Sequence, residues 1–161
     1  MGLFDPEDPG LEKALNKASG YLSHRERSVQ EVATYLKKKE FDDSTIQDAI
    51  EKLLGWGYLD DRRFAALFIK SRMNSNPKST YALSCELRTK GIAEPTIQEL
   101  IAPLDDQELA WDSIQKKIRR WQNLDDETMK KKLMGHLHYR GFNYGTSMAT
   151  WERLRNTLFD D

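Results

Sequence analysis

One segment of this chain occurs three times, and that repeat limits its architecture more than any other feature. Ser28 to Leu53 superposes on Ser79 to Leu104 at an offset of 51. Val32 meets Leu83, Leu36 meets Leu87, Lys39 meets Lys90, Phe41 meets Ile92, Thr45 meets Thr96 and Ile50 meets Ile101. A third copy follows at an offset of 50, with Leu133, Leu137, Arg140, Gly141, Phe142, Thr146, Trp151 and Leu154 in the matching positions. A period of about 50 residues belongs to arrays of helical units that are too small to bury an apolar face alone.

Almost everywhere in the chain the apolar residues recur at helical spacing, as in Leu11, Leu15, Ala18, Leu22 and in Val29, Val32, Ala33, Leu36. No stretch alternates with period two. Each copy reads as a helix ending in a basic residue, a tight turn at Glu40, Gly91 or Gly141, an apolar plug at Phe41, Ile92 or Phe142, and a second helix. Gly91 and Gly141 stand where a helix C-cap needs positive φ, which only glycine adopts cheaply. Ser28 with Glu31, and Asp105 with Glu108, have the spacing of capping boxes. A further helix precedes each pair, at Leu11 to Ser23, Asp61 to Met73 and Gln107 to Trp121. The expectation is an all-α, elongated tandem array of three three-helix modules, about nine helices in all. The modules cover 11–58, 59–104 and 105–158, after an N-terminal tail over 1–10.

Composition removes several function classes. Among the 161 residues, 25 Lys and Arg face 26 Asp and Glu, a net charge of −1, which excludes a uniformly basic polyanion binder. The longest apolar run, Phe64 to Ile69, is too short for a bilayer span, so no membrane partner is expected. The single cysteine, Cys85, has no disulfide partner within the chain, and no secretory pattern opens it. A reduced, cytoplasmic monomer is expected. Pro6 stands where a myristoylation signal after Met1-Gly2 needs Ser or Thr.

Few residues offer chemistry. Adjacent aspartates at 42–43, 60–61, 105–106, 125–126 and 160–161 have the form of metal or acid–base pairs. Four of the five pairs lie just before a predicted helix, where a carboxylate caps free N–H groups and complements the macrodipole. Capping therefore displaces a metal-dependent hydrolase. His136 and His138 are two apart on a helix and point in different directions, so they do not chelate one ion. Cys85 has no histidine near it in sequence and reads as an inert, half-buried thiol. No phosphate-cradling glycine motif is present. Gly55-Trp56-Gly57 reads as a helix end, with Trp56 and Tyr58 packing between modules.

The near-zero charge hides strong segregation. Between Arg62 and Lys90 seven cations oppose only Glu86, a net of +6, and between Ser113 and Arg140 eight oppose three carboxylates, a net of +5. Lys39, Lys90 and Arg140 share one module position, so they are expected to form a row suited to a polyanion or an acidic protein surface. Trp111, Trp121 and Tyr139 have the faces needed to stack bases, yet their helical spacing predicts burial.

The string Gly57-Tyr58-Leu59-Asp60-Asp61-Arg62-Arg63-Phe64-Ala65, continued by Phe68, Ile69 and Arg72, resembles the central signature of the RecX family of bacterial recombination regulators. Tyr21-Leu22-Ser23-His24-Arg25-Glu26-Arg27-Ser28 resembles the family's opening motif, Glu86-Leu87-Arg88-Thr89-Lys90-Gly91-Ile92 its second, and Arg140-Gly141-Phe142 with Trp151 its last. The ordered set spans Leu11 to Leu158. Two residues depart from the pattern: Ser79 replaces a common glycine, and Ser147 replaces an apolar residue.

The resemblance implies a regulatory protein, not an enzyme and needing no cofactor. It implies binding to the RecA filament on single-stranded DNA, with inhibition of ATPase, strand exchange and co-protease activities. Leu59, Phe64, Phe68, Leu87, Ile92, Phe142 and Trp151 are expected in the core. Arg25, Arg63, Arg72, Arg88, Lys90 and Arg140 are the candidates for partner contact, weighed against structural ion pairing. A direct single-stranded nucleic-acid-binding module is the alternative.

Overall fold

A computed structural model describes residues 8–160. Met1, Gly2 and Pro6, most of the predicted tail and the second member of the last aspartate pair lie outside the described residues. Ten α-helices follow one another, with no strand among the described residues. They are α1 (Pro9–Leu22), α2 (Val29–Lys38), α3 (Asp43–Gly55), α4 (Asp61–Ser75), α5 (Thr80–Thr89), α6 (Glu94–Ile101), α7 (Asp106–Ile114), α8 (Ile118–Trp121), α9 (Asp126–Tyr139) and α10 (Tyr144–Phe159). The tenth helix arises because the stretch expected as one helix from Gln107 to Trp121 breaks in two. Ser113 Oγ turns back to donate to the Ala110 carbonyl at 2.8 Å, and the N–H groups of Gln115 and Lys117 fall back on carbonyls three residues earlier. This tightened turn precedes α8, whose Trp121 is buried at 8% exposure.

Helix starts follow the sequence signals. Asp42, Asp105 and Asp125 cap α3, α7 and α9, and Asp60 accepts from the Arg63 N–H at 3.0 Å. Ser28 and Glu31 form a reciprocal capping box on α2. The predicted box at Asp105 and Glu108 does not form: Asp105 accepts from the Gln107 N–H at 2.8 Å, and the Glu108 carboxylate accepts from Arg153 at 3.1 Å. Ser79, despite replacing glycine, accepts from the Ala82 N–H at 3.0 Å.

The three turns that end α2, α5 and α9 adopt the left-handed conformation, with φ of 69° at Glu40, 81° at Gly91 and 89° at Gly141. At Gly141 the following N–H, from Phe142, reaches back to the Leu137 carbonyl at 3.0 Å, and Phe41 does the same to Leu36 at 3.2 Å. The reason glycine is needed twice but not three times is packing. A Cβ on Gly91 would collide with the Gln30 side chain, and one on Gly141 would lie 2.6 Å from Ser79 Oγ and 2.9 Å from Ala82 Cβ. The second helix of one module thus receives the glycine turn of the next.

Two compact units divide the described chain: one runs to Ala66 and adds Arg88–Glu94, the other holds Leu67–Leu87 and the chain from Pro95 onward. The first unit's core is built on Leu15, Ala18, Val32, Leu36, Ala49, Leu53 and Leu59. The second unit's core is built on Leu109, Ile114, Trp121, Leu133, Leu137, Phe142, Trp151 and Leu154. Phe64, Leu87 and Ile92 are also buried as expected, while Phe68 is half-buried beneath the Arg72 guanidinium at 4.6 Å. Ser147 is buried at 2% exposure.

Three aromatic expectations fail. Tyr139 is 90% exposed, because it sits in the last turn of α9 on the side away from Leu133 and Leu137. Trp56 and Tyr58 are 37% and 54% exposed, since the positive φ at Gly57 turns them outward, where their rings meet edge to face.

Candidate binding surface

Each second helix ends in a cation, and each first-to-second helix connection is short and charged, so the candidate cations gather at module joints. Glu31, fixed at N3 of α2 by its capping box, is the centre of one such joint. Its carboxylate takes Arg25 Nη2 at 2.7 Å and Lys90 Nζ at 3.5 Å while still accepting from the Ser28 N–H at 3.2 Å. Burial pushes the Glu31 carboxyl up; the hydrogen bonds from Arg25 and Ser28, with the charges of Arg25 and Lys90, outweigh it and hold the group below its ordinary range. Beside it Gln30 donates to the Thr89 carbonyl at 3.1 Å, and Arg88 grips Glu94 with two bonds of 2.8 Å. Arg63 Nε donates to Glu26 at 3.0 Å and its Nη2 to the Gly57 carbonyl at 3.1 Å. Four of the six candidates, Arg25, Arg63, Arg88 and Lys90, therefore lie in the first unit.

The other two lie in the second unit. Arg72 donates twice to Glu86, at 3.1 and 2.9 Å, and Lys78 takes the other carboxylate oxygen at 2.7 Å. Burial raises the Glu86 carboxyl, but the hydrogen bonds and charges of Lys78 and Arg72 bring it below the ordinary range. Arg140 is different: its Nη1 donates to the Pro77 carbonyl at 3.3 Å, its Nε is buried without a hydrogen-bond partner among the described residues, and burial lowers its pKa. The backbone joins in, with the Ser79 N–H donating to the Arg140 carbonyl at 3.1 Å.

All six candidates thus have intramolecular partners. Lys39, Lys90 and Arg140 share a module position but not an environment: Lys39 lies 5.5 Å from the Tyr35 ring, Lys90 is ion-paired and Arg140 is half-buried. Sequence reading undervalued Glu31 and Glu86, which appear there as a cap and as a lone acid. Both lie within reach of two cations, a relation set by helix packing across sequence gaps of up to 59 residues. It also missed a stack in which Arg27 lies 3.9 Å over Tyr21 and Tyr21 lies parallel to Tyr35 at 4.1 Å.

The aspartate pairs have two roles. The first members of four pairs cap the helix that follows, and two second members cap the helix of the module before. Asp61 accepts from the Val29 N–H at 2.8 Å, and Asp106 accepts from the Thr80 N–H at 2.8 Å and from its hydroxyl at 3.2 Å. Burial, joined by the neighbouring charge of Asp60, raises the Asp61 pKa against the pull of the Val29 bond. Among the described residues no group of three or more His, Cys, Asp or Glu is placed to hold a metal ion. His136 is half-buried with Nε2 3.1 Å from the Ser113 carbonyl, His138 is exposed and Cys85 is a half-buried free thiol. No helix among the described residues is long and apolar enough to cross a membrane.

Three family models match in order: the RecX first three-helix domain over residues 14–53, the second over 60–101 and the third over 105–149. The regulatory protein RecX of Prosthecochloris aestuarii is 38% identical over 147 residues, which covers 91% of this chain and 97% of that protein. The one from Chlorobium phaeobacteroides is 34% identical with the same coverage. The Bacillus licheniformis protein is 34% identical over 142 residues, and there the match spans only 54% of the relative's length. The crystal structure of RecX from Lactobacillus salivarius superposes with a TM-score of 0.76 at 22% identity, covering 91% of this chain and 97% of that one, a likeness of fold.

Proposed function

The chain belongs to the RecX family of regulatory proteins, and from that premise we propose that it binds the RecA filament on single-stranded DNA and inhibits its ATPase, strand exchange and co-protease activities. Its effects on DNA repair, recombination and the SOS response follow from that inhibition, exerted in the cytoplasm and without a cofactor. The ordered match of all three modules to a relative of nearly the same length carries this reading. It is supported by a mechanism that needs no catalytic group: tandem modules spanning 11–58, 59–104 and 105–158 engage several neighbouring recombinase subunits at once.

The contact chemistry rests on the six cations. Arg88 and Glu94 pair with side chains 45% and 50% exposed, and exposed ion pairs contribute only about 0–1 kcal/mol. Exchanging an internal carboxylate for one on a partner therefore costs little. The pairs hold the long side chains in one geometry beforehand, which reduces the entropy lost on binding. Arg140, with its buried Nε, serves the joint at Pro77.

Strand exchange by a RecA filament, followed on homologous DNA at rising amounts of this protein, tests the proposal. The expected result is progressive inhibition; exchange that is untouched at saturating amounts refutes it.

A further inference from the structure

We propose that the open groove between α8 and α9, where Lys117, Arg120 and Lys132 converge, is a binding site for the phosphodiester backbone of a nucleic-acid strand. The groove encloses about 410 Å³, and its lining is completed by Trp121, Leu124 and His136. No carboxylate among the described residues lines it. The three cations have no ion pair to a carboxylate among the described residues, in contrast to five of the six cations singled out from the sequence, Arg140 being the exception. They belong to the segment that carries a net charge of +5, so the local field is positive and uncompensated.

The repeat gives a second, independent reason to single out this face. In the first copy the start of the second helix receives a glycine turn at Gln30, and in the second copy at Ser79 and Ala82. The third copy places the exposed Lys131 at the position of Gln30 and the exposed Lys132, which lines the groove, at that of Ala82, while the buried Met129 takes that of Ser79. A surface that twice serves as a joint is here turned into a cationic one.

The occupant follows from what the groove lacks. Protein partners anchor on exposed aromatic or aliphatic side chains at the centre of the contact. Trp121 and Leu124 are committed to the core of the second unit, and none of the large exposed apolar residues lines the groove. With Trp121 at 8% exposure no ring is available to stack a base, so recognition is of phosphates and is independent of sequence. His136 adds no charge at neutral pH, because burial and the charges of Arg140 and Lys117 hold it below the usual imidazole range.

The test is the fluorescence anisotropy of a labelled oligothymidylate of about 20 nucleotides, long enough to fill such a groove, measured at several salt concentrations without recombinase. Since no recombinase is present, the outcome is separate from that of the inhibition assay. Each phosphate contact on a single strand contributes a slope of about 0.7 in log affinity against log salt, so K117E/R120E/K132E should lower the slope by about two. The neutral K117Q/R120Q/K132Q should do the same if charge reversal disturbs folding. The matched reversal K13E/K17E/K38E, at exposed lysines of α1 and α2, should retain the wild-type slope. No binding by the wild type at low salt, equal losses in the matched variant, or full displacement of the oligonucleotide by polyglutamate at equal charge would overturn the proposal.

Discussion

Gly141→Ala separates the two demands made on the glycine turns. The backbone there has φ of 89°, which costs an L-residue roughly 1–2 kcal/mol. The new methyl also lies 2.9 Å from Ala82 Cβ and 2.6 Å from Ser79 Oγ, tighter than real contacts allow. Pushing Ser79 aside weakens the cap that it provides to the Ala82 N–H, worth about 1 kcal/mol, and the crowding adds roughly 1–3 kcal/mol. The total is about 3–6 kcal/mol. Gly57→Ala is the internal control: φ is 77°, but nothing lies within 4 Å of the added methyl, so only the backbone cost of roughly 1–2 kcal/mol applies. Urea unfolding followed by circular dichroism, with midpoints compared at constant slope, measures both. Equal destabilisation by the two variants would refute the claim that the turn of one module is seated on the helix of another.

Other perturbations probe the joints and the surface. Glu40→Gly should be neutral or stabilise by up to about 1 kcal/mol, since it relieves a φ of 69° at the cost of a looser unfolded chain; clear destabilisation in the same urea assay would argue against it. Asp106→Ala should cost about 1–2 kcal/mol in thermal or urea unfolding, because it strips both bonds from Thr80, and Asp61→Ala should cost less because it removes one. Glu31 and Glu86 have folded-state pKa values below their unfolded ones, so their stabilisation is complete above the ordinary glutamate pKa and is lost as pH falls through the lower folded value. Asp61, raised instead, opposes folding above its folded pKa and relaxes on acidification. Stability measured from neutral to acid pH should therefore fall less steeply in Glu31→Gln and Glu86→Gln than in the wild type. Reversing Arg72, Arg88 and Lys90 together to Glu should lower inhibition of the filament at unchanged helical content; inhibition at wild-type strength would mean that these cations serve only their internal pairs.

The repeat made the modules, the three left-handed turns and the aspartate caps legible, because each of these depends on a few neighbouring residues. Caps and turns are local, and Asp42 or Gly141 announces itself. What could not be read was which surface each helix presents. Tyr139, expected in the core, stands in solvent, since it lies on the face of α9 opposite Leu133 and Leu137. The pairing of Arg25 and Lys90 with one carboxylate was equally hidden, because Glu31 meets Lys90 only after two helices pack. The groove at Lys117, Arg120 and Lys132 depends on the break between α7 and α8, which the charge run alone does not announce.

ATP turnover by RecA assembled on single-stranded DNA, measured while this protein is titrated in, tests the central claim most directly. A saturable fall in turnover is expected, complete well below one molecule per recombinase subunit if each chain engages several. Turnover that stays constant at saturating protein would contradict it.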